Sequence, residues 1–178
     1  MKTIAAAVAL ATLTLATPAQ AELGPHLKAQ ARAWGAAFGQ AGVRFVDSKS
    51  CPPGLAAKYE PANRTITVCS NNVRTVYHYR EAVAHEAIHA AQHCVGLRLG
   101  VDTMLPLQTK LAEYDPELAY KWQLMVNELV ANKGDALAQS KRFNSRGITA
   151  PLEREAYAVE SQNDLALGLF RAACLGKR

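Results

Sequence analysis

The sequence predicts an α+β protein dominated by helix: a single domain with a small antiparallel sheet beside a central helix. Apolar residues recur at helical spacing over most of the chain beyond residue 72. The stretch 43–69 instead carries β-branched runs divided by Pro and Asn, which is strand and turn chemistry. No internal repeat, low-complexity tract or linker divides the 178 residues, so one core is expected. With 49% hydrophobic and 20% charged residues the composition is ordinary for a globular domain. Disorder, collagen-like repeats and coiled-coil arrays are excluded as its main character.

Residues 1–21 read as a signal peptide. Lys2 supplies the positive start, residues 4–15 are apolar apart from Thr12 and Thr14, and Ala19-Gln20-Ala21 is a small-x-small cleavage site after Pro18. The apolar core of about a dozen residues is shorter than the roughly 20 needed to span a bilayer. The expected product is a domain of residues 22–178, exported to a periplasm or secreted, with no stable membrane anchor.

Within that domain, residues 26–40 form an amphipathic pattern with Leu27, Ala31, Trp34 and Phe38 on one side. Val43 and Phe45, then 57–59 and 65–68, read as short strands, with Pro61-Ala62-Asn63-Arg64 as the turn between the last two. From Asn72 the period becomes helical, runs through His85 to about Cys94 and stops near Gly96. Pro106 precedes a further helical stretch, residues 115–139 are helical by period, and Gly147 marks a break. Pro151 suits a first helical turn, so a last helix is expected over 151–174.

Four cysteines, Cys51, Cys69, Cys94 and Cys174, form no CxxC knuckle, and an even count in an exported chain favours two disulfides over a thiolate metal site. Three pairings are possible. Cys51 with Cys69 and Cys94 with Cys174 is favoured, the first bracketing the hairpin and the second tying two helices. The excess of 20 basic over 15 acidic residues is scattered along the chain, so nucleic acid is not an expected partner.

The chemistry concentrates at His85-Glu86-Ala87-Ile88-His89. Residues four apart share a helix face, so both imidazoles can reach one cation, while Glu86 is turned about 100° and can address a water. Zn²⁺ suits such a site, because it takes imidazole ligands, keeps an open position and acidifies bound water. Glu86 is then the expected general base and later general acid. With the strand at 65–69 upstream and Glu153-Arg154-Glu155-Ala156 downstream, the chain resembles a small HExxH zinc metallopeptidase of the zincin kind. The resemblance implies a zincin-like fold, a peptide or protein substrate, and an edge strand, here 65–68, that aligns the substrate by main-chain pairing. The extended metzincin pattern is absent, since Gln92 and Val95 stand where its glycine and third histidine would be. What remains is similar to a gluzincin, with a downstream glutamate as third ligand.

Glu155 is the expected third ligand. On a continuous helix it falls at the margin of the apolar arc of Leu152, Ala156, Val159, Ala166, Leu167 and Phe170, where an unpaired carboxylate would be costly. Glu153, Glu160 and Asp164 share another stripe with Tyr157, expected to be solvated. Glu128 is the rival. His93, eight residues beyond His85 and so about 12 Å along the axis, is too far to join it on one ion and reads as a surface or supporting histidine. His78 could line the cleft, and Tyr77, Tyr79 and Tyr157 are candidate oxyanion donors. Two other functions fit the same motif: a zinc-bound binding module without turnover, and a zinc amidase acting on a cell-wall peptide.

Overall fold

The computed structural model describes residues 25–133 and 150–176, so the expected signal peptide (1–21), residues 134–139 and Gly147 lie outside the described residues. Helix α1, Pro25–Ala41, leads into a three-stranded sheet of β1 Arg44–Ser48, β2 Ala57–Glu60 and β3 Thr65–Cys69. Helices α2 Val76–Arg98, α3 Leu107–Tyr114, α4 Pro116–Asn132, α5 Ala150–Val159 and α6 Asn163–Leu175 follow. The helix-dominated α+β expectation holds. None of the described helices is long and apolar enough to cross a membrane.

The sheet is mixed where an antiparallel one was expected. Its order is β1-β3-β2, with β1 parallel to β3, pairing Phe45 with Ile66, and β2 antiparallel, pairing Ala57 with Val68. The run 65–68 is therefore the central strand. It is occupied on both sides because its side chains are buried on both faces, Ile66 and Val68 completely. It has no free edge for a substrate, and β2 is the edge strand beside it.

Helix α2 is the axis of the molecule. Thr75 caps it by accepting from the His78 N–H at 3.1 Å. From Ala82 to Gly96 every residue except His85 is buried, as a helix enclosed on all sides requires. Gly96 is required by a close approach, since a Cβ there would meet the Thr103 carbonyl oxygen at 1.8 Å. One flank is closed by rings: Phe38 stacks on Phe45 at 5.7 Å and meets Phe170 edge-on at 5.2 Å. At the start of α4 Asp115 caps two N–H groups ahead of Pro116.

Both favoured disulfides are present. Cys51–Cys69 ties the loop before β2 to the end of β3, and Cys94–Cys174 ties α2 to α6. Such bonds persist in an oxidising compartment.

The single last helix expected over 151–174 is two. The polar run Glu160-Ser161-Gln162-Asn163 interrupts it, with Gln162 at φ −106°, ψ 70° and its N–H turned back to the Val159 carbonyl. Ser and Asn favour such ends because their side chains compete with helical backbone bonding. A single 100° projection across 151–174 therefore fails beyond Val159.

Candidate functional site

His85 and His89 stand one turn apart on α2, with their Nε2 atoms 3.2 Å from each other. The other nitrogen of each ring is pinned. His85 Nδ1 lies 2.9 Å from Glu160 Oε2, a carboxylate that can only accept, so Nδ1 carries the proton. Lys133 holds the other oxygen of Glu160 at 3.2 Å. His89 Nδ1 lies 2.8 Å from Gln92 Oε1. Gln92 Nε2 faces two acceptors, the Leu152 carbonyl at 2.9 Å and Glu155 Oε2 at 3.0 Å, so its amide orientation is fixed and Oε1 accepts from His89. Both Nε2 atoms are thereby turned to one point.

The carboxylate at that point belongs to Glu153. Its oxygens lie 3.4 Å from His85 Nε2 and 3.6 Å from His89 Nε2. Ligand atoms of His85, His89 and Glu153 all fall within 4.8 Å of one another, a group that could hold a metal ion. Burial opposes charge on His85, but hydrogen bonds to Glu153 and Glu160 and the negative charge of Glu86 outweigh it, pushing its pKa up to about 10. The two imidazoles hold the Glu153 carboxyl well below the usual carboxylate range. The site calls for positive charge.

Glu155 is not brought to the histidines. It is buried and accepts four hydrogen bonds: from Leu107 N at 2.7 Å, Gln108 N at 3.1 Å, Trp122 Nε1 at 2.8 Å and Gln92 Nε2. The first two donors are the opening N–H groups of α3, which its N-cap residue Pro106 does not cap, so Glu155 acts as the cap and meets the positive end of the helix dipole. A carboxylate at the core margin did need partners, but N–H groups supply them. Glu128 is exposed on α4. The stripe expected to be solvated is the one that meets the histidines: Glu153 and Glu160, seven residues apart, both reach His85. That two-turn spacing of acids, matched to a one-turn spacing of histidines, is the signal the sequence held.

Glu86 is 8% exposed, and among the described residues nothing hydrogen-bonds to its carboxylate. It lines a cavity of about 370 Å³ with His85, His78, Glu81 and Glu160, bordered by the loop that enters β2 at Ala57. His78 thus does line the cleft. None of Tyr77, Tyr79 and Tyr157 lines it. His93 is no surface residue: it is buried, held by the Tyr59 hydroxyl at 2.8 Å and by Asp102 at 2.8 Å. No family model, curated protein or solved structure matches this chain.

Proposed function

We propose that this protein is a zinc-dependent hydrolase of peptide bonds, in which His85, His89 and Glu153 hold the metal and Glu86 is the general base. The observation that carries this reading is the pair of Nε2 atoms 3.2 Å apart, each ring fixed by a bond at its opposite nitrogen, with the two oxygens of Glu153 at 3.4 and 3.6 Å. Ligand atoms about 2.0–2.1 Å from a tetrahedral zinc stand about 3.3–3.4 Å apart, close to the 3.2 Å between the two Nε2 atoms and the 3.4 Å from His85 Nε2 to Glu153 Oε2. Carboxylate and amide partners on ligating histidines are what a metal site needs to fix tautomer and ring orientation. Zinc held there would supply a polarised carbonyl and an acidified water.

The chain's own residues would do the rest. Glu86, free of other partners among the described residues and facing the cavity, can take a proton from water and deliver it to a leaving amine. His85 and His89 are kept from that role, because their Nδ1 protons are committed to Glu160 and Gln92. The cavity lies beside the loop entering an edge strand, β2, where an extended peptide could pair with main-chain groups.

The test is Glu86→Gln in protein loaded with zinc. It should keep stoichiometric metal and lose at least about 10²-fold in turnover of a broad peptide library. Unchanged turnover would remove Glu86 as the base. A wild type that binds zinc and cleaves nothing would favour the binding-module reading.

A further inference from the structure

The cavity of about 370 Å³ beside the histidines has two kinds of wall. Leu55, Ala57, Val73 and Ala82 make an apolar side, drawn from the loop entering β2, the approach to α2 and α2 itself. Its charged groups are Glu81, Glu86 and Glu160, beside His78 and His85, with no lysine or arginine in the wall. Glu81 stands one turn before His85 on α2, so the two project from the same helix face. One turn separates them by about 6 Å along the axis.

The three carboxylates differ in how their charge is balanced. Glu160 is paired with His85 at 2.9 Å and with Lys133 at 3.2 Å. Glu86 is more than nine-tenths buried and without a hydrogen bond among the described residues, and together with Glu153 it would balance a divalent ion at the histidines. Glu81 is left over. It is partly buried, and among the described residues no lysine, arginine or histidine pairs with it. A hydrogen bond to Glu81, then the charges of Glu81 and Glu160, push up the pKa of Tyr77. Burial, then Glu160 and Glu81, does the same to Tyr157, so the two carboxylates act together on one opening. The group that completes such a cavity is a long aliphatic stem with a cation at its tip, the stem along the apolar wall and the charge at Glu81. A neutral side chain leaves that carboxylate unbalanced, and an acidic one meets like charge.

We infer that this cavity takes a lysine or arginine side chain of a peptide, with Glu81 as the residue that recognises its charge. The spacing of one helical turn from His85 places that side chain on a residue flanking the bond to be cleaved. This last point rests on the hydrolase reading, whereas recognition of the cation needs no turnover.

Two measurements on the zinc-loaded protein test it. In calorimetric titration with acetylated tripeptide amides, Ala-Lys-Ala should bind at least about tenfold more tightly than its norleucine analogue, which keeps the stem without the charge, and more tightly still than Ala-Glu-Ala. In a mixed peptide library read by mass spectrometry, Lys or Arg should be enriched at least about tenfold at one position flanking the cleaved bond. Glu81→Gln should bring the lysine-to-norleucine ratio close to 1 in both measurements. Glu81→Lys should invert the order in favour of the glutamate peptide, a gain that a merely misfolded variant cannot show. Cleavage without enrichment of basic residues would overturn the inference and leave the hydrolase reading standing. Selective binding of the lysine peptide with no cleavage of any peptide would do the reverse, upholding cation recognition and removing the hydrolase. Equal affinity for the three peptides, no binding at about 10 mM, or a lysine preference that survives Glu81→Gln would each overturn the inference.

Discussion

His89 donates its Nδ1 proton to Gln92 Oε1 at 2.8 Å, and Gln92 hands the constraint on to Glu155 Oε2 at 3.0 Å. One buried amide thus joins the histidine-bearing edge of α2 to the carboxylate that caps α3 and holds Trp122. The orientation of His89 is therefore set by a residue that lies away from the histidine pair itself.

Glu153 and Glu155 should separate by what their loss damages. Glu153→Ala removes a direct partner of both Nε2 atoms and should lower zinc affinity at least about 10²-fold, with a smaller loss of metal-free stability than Glu155→Ala because Glu153 is partly exposed. Glu155→Ala strands four donors and should destabilise the fold by about 3–5 kcal/mol. Zinc competition against a chelator, with urea unfolding of the same variants, reads both. Wild-type affinity in Glu153→Ala would remove it as a ligand.

Gln92→Leu should keep the helix and lose the His89 tether. Zinc affinity should fall about 10–100-fold, the range for losing a hydrogen-bond partner of a ligating histidine. Unaltered affinity would mean that packing alone orients the ring.

Zinc should stabilise the native state. At a hundredfold excess over the dissociation constant the gain is about 2.7 kcal/mol, or about 5–10 °C in melting temperature for a domain of this size. Calorimetry with zinc and then with a chelator measures the difference, and it should vanish in the double variant His85→Ala/His89→Ala. An identical shift in that variant would place the metal elsewhere.

The disulfides should contribute unequally. Cys51–Cys69 closes 18 residues and Cys94–Cys174 closes 80. In the chain-entropy account these restrict the unfolded state by about 3 and about 4.5 kcal/mol. Paired Cys→Ala variants, compared by urea unfolding, should show the larger loss for 94/174. The reverse order would point to residual structure in the unfolded chain.

The helix-dominated α+β class, the strands at 57–60 and 65–69, the HExxH pair on one helix face and both disulfides were legible in the sequence, because each follows from local period or from spacing. Tertiary structure decided which way the neighbours turn. The stripe of Glu153 and Glu160 resembles a solvated face, since periodicity sorts polar from apolar and is blind to what lies opposite. Here the opposite surface is the histidine face of α2, polar and only partly open to solvent, so the acidic stripe turns toward it. Glu155 was rightly placed at the core margin, but only the arrival of α3 and Trp122 supplied its partners, from chain distances of 48 and 33 residues. Strand order was hidden for the same reason. β1 pairs with β3 in parallel, a contact between segments that no local pattern links, selected because the doubly buried 65–69 run needs a neighbour on each side.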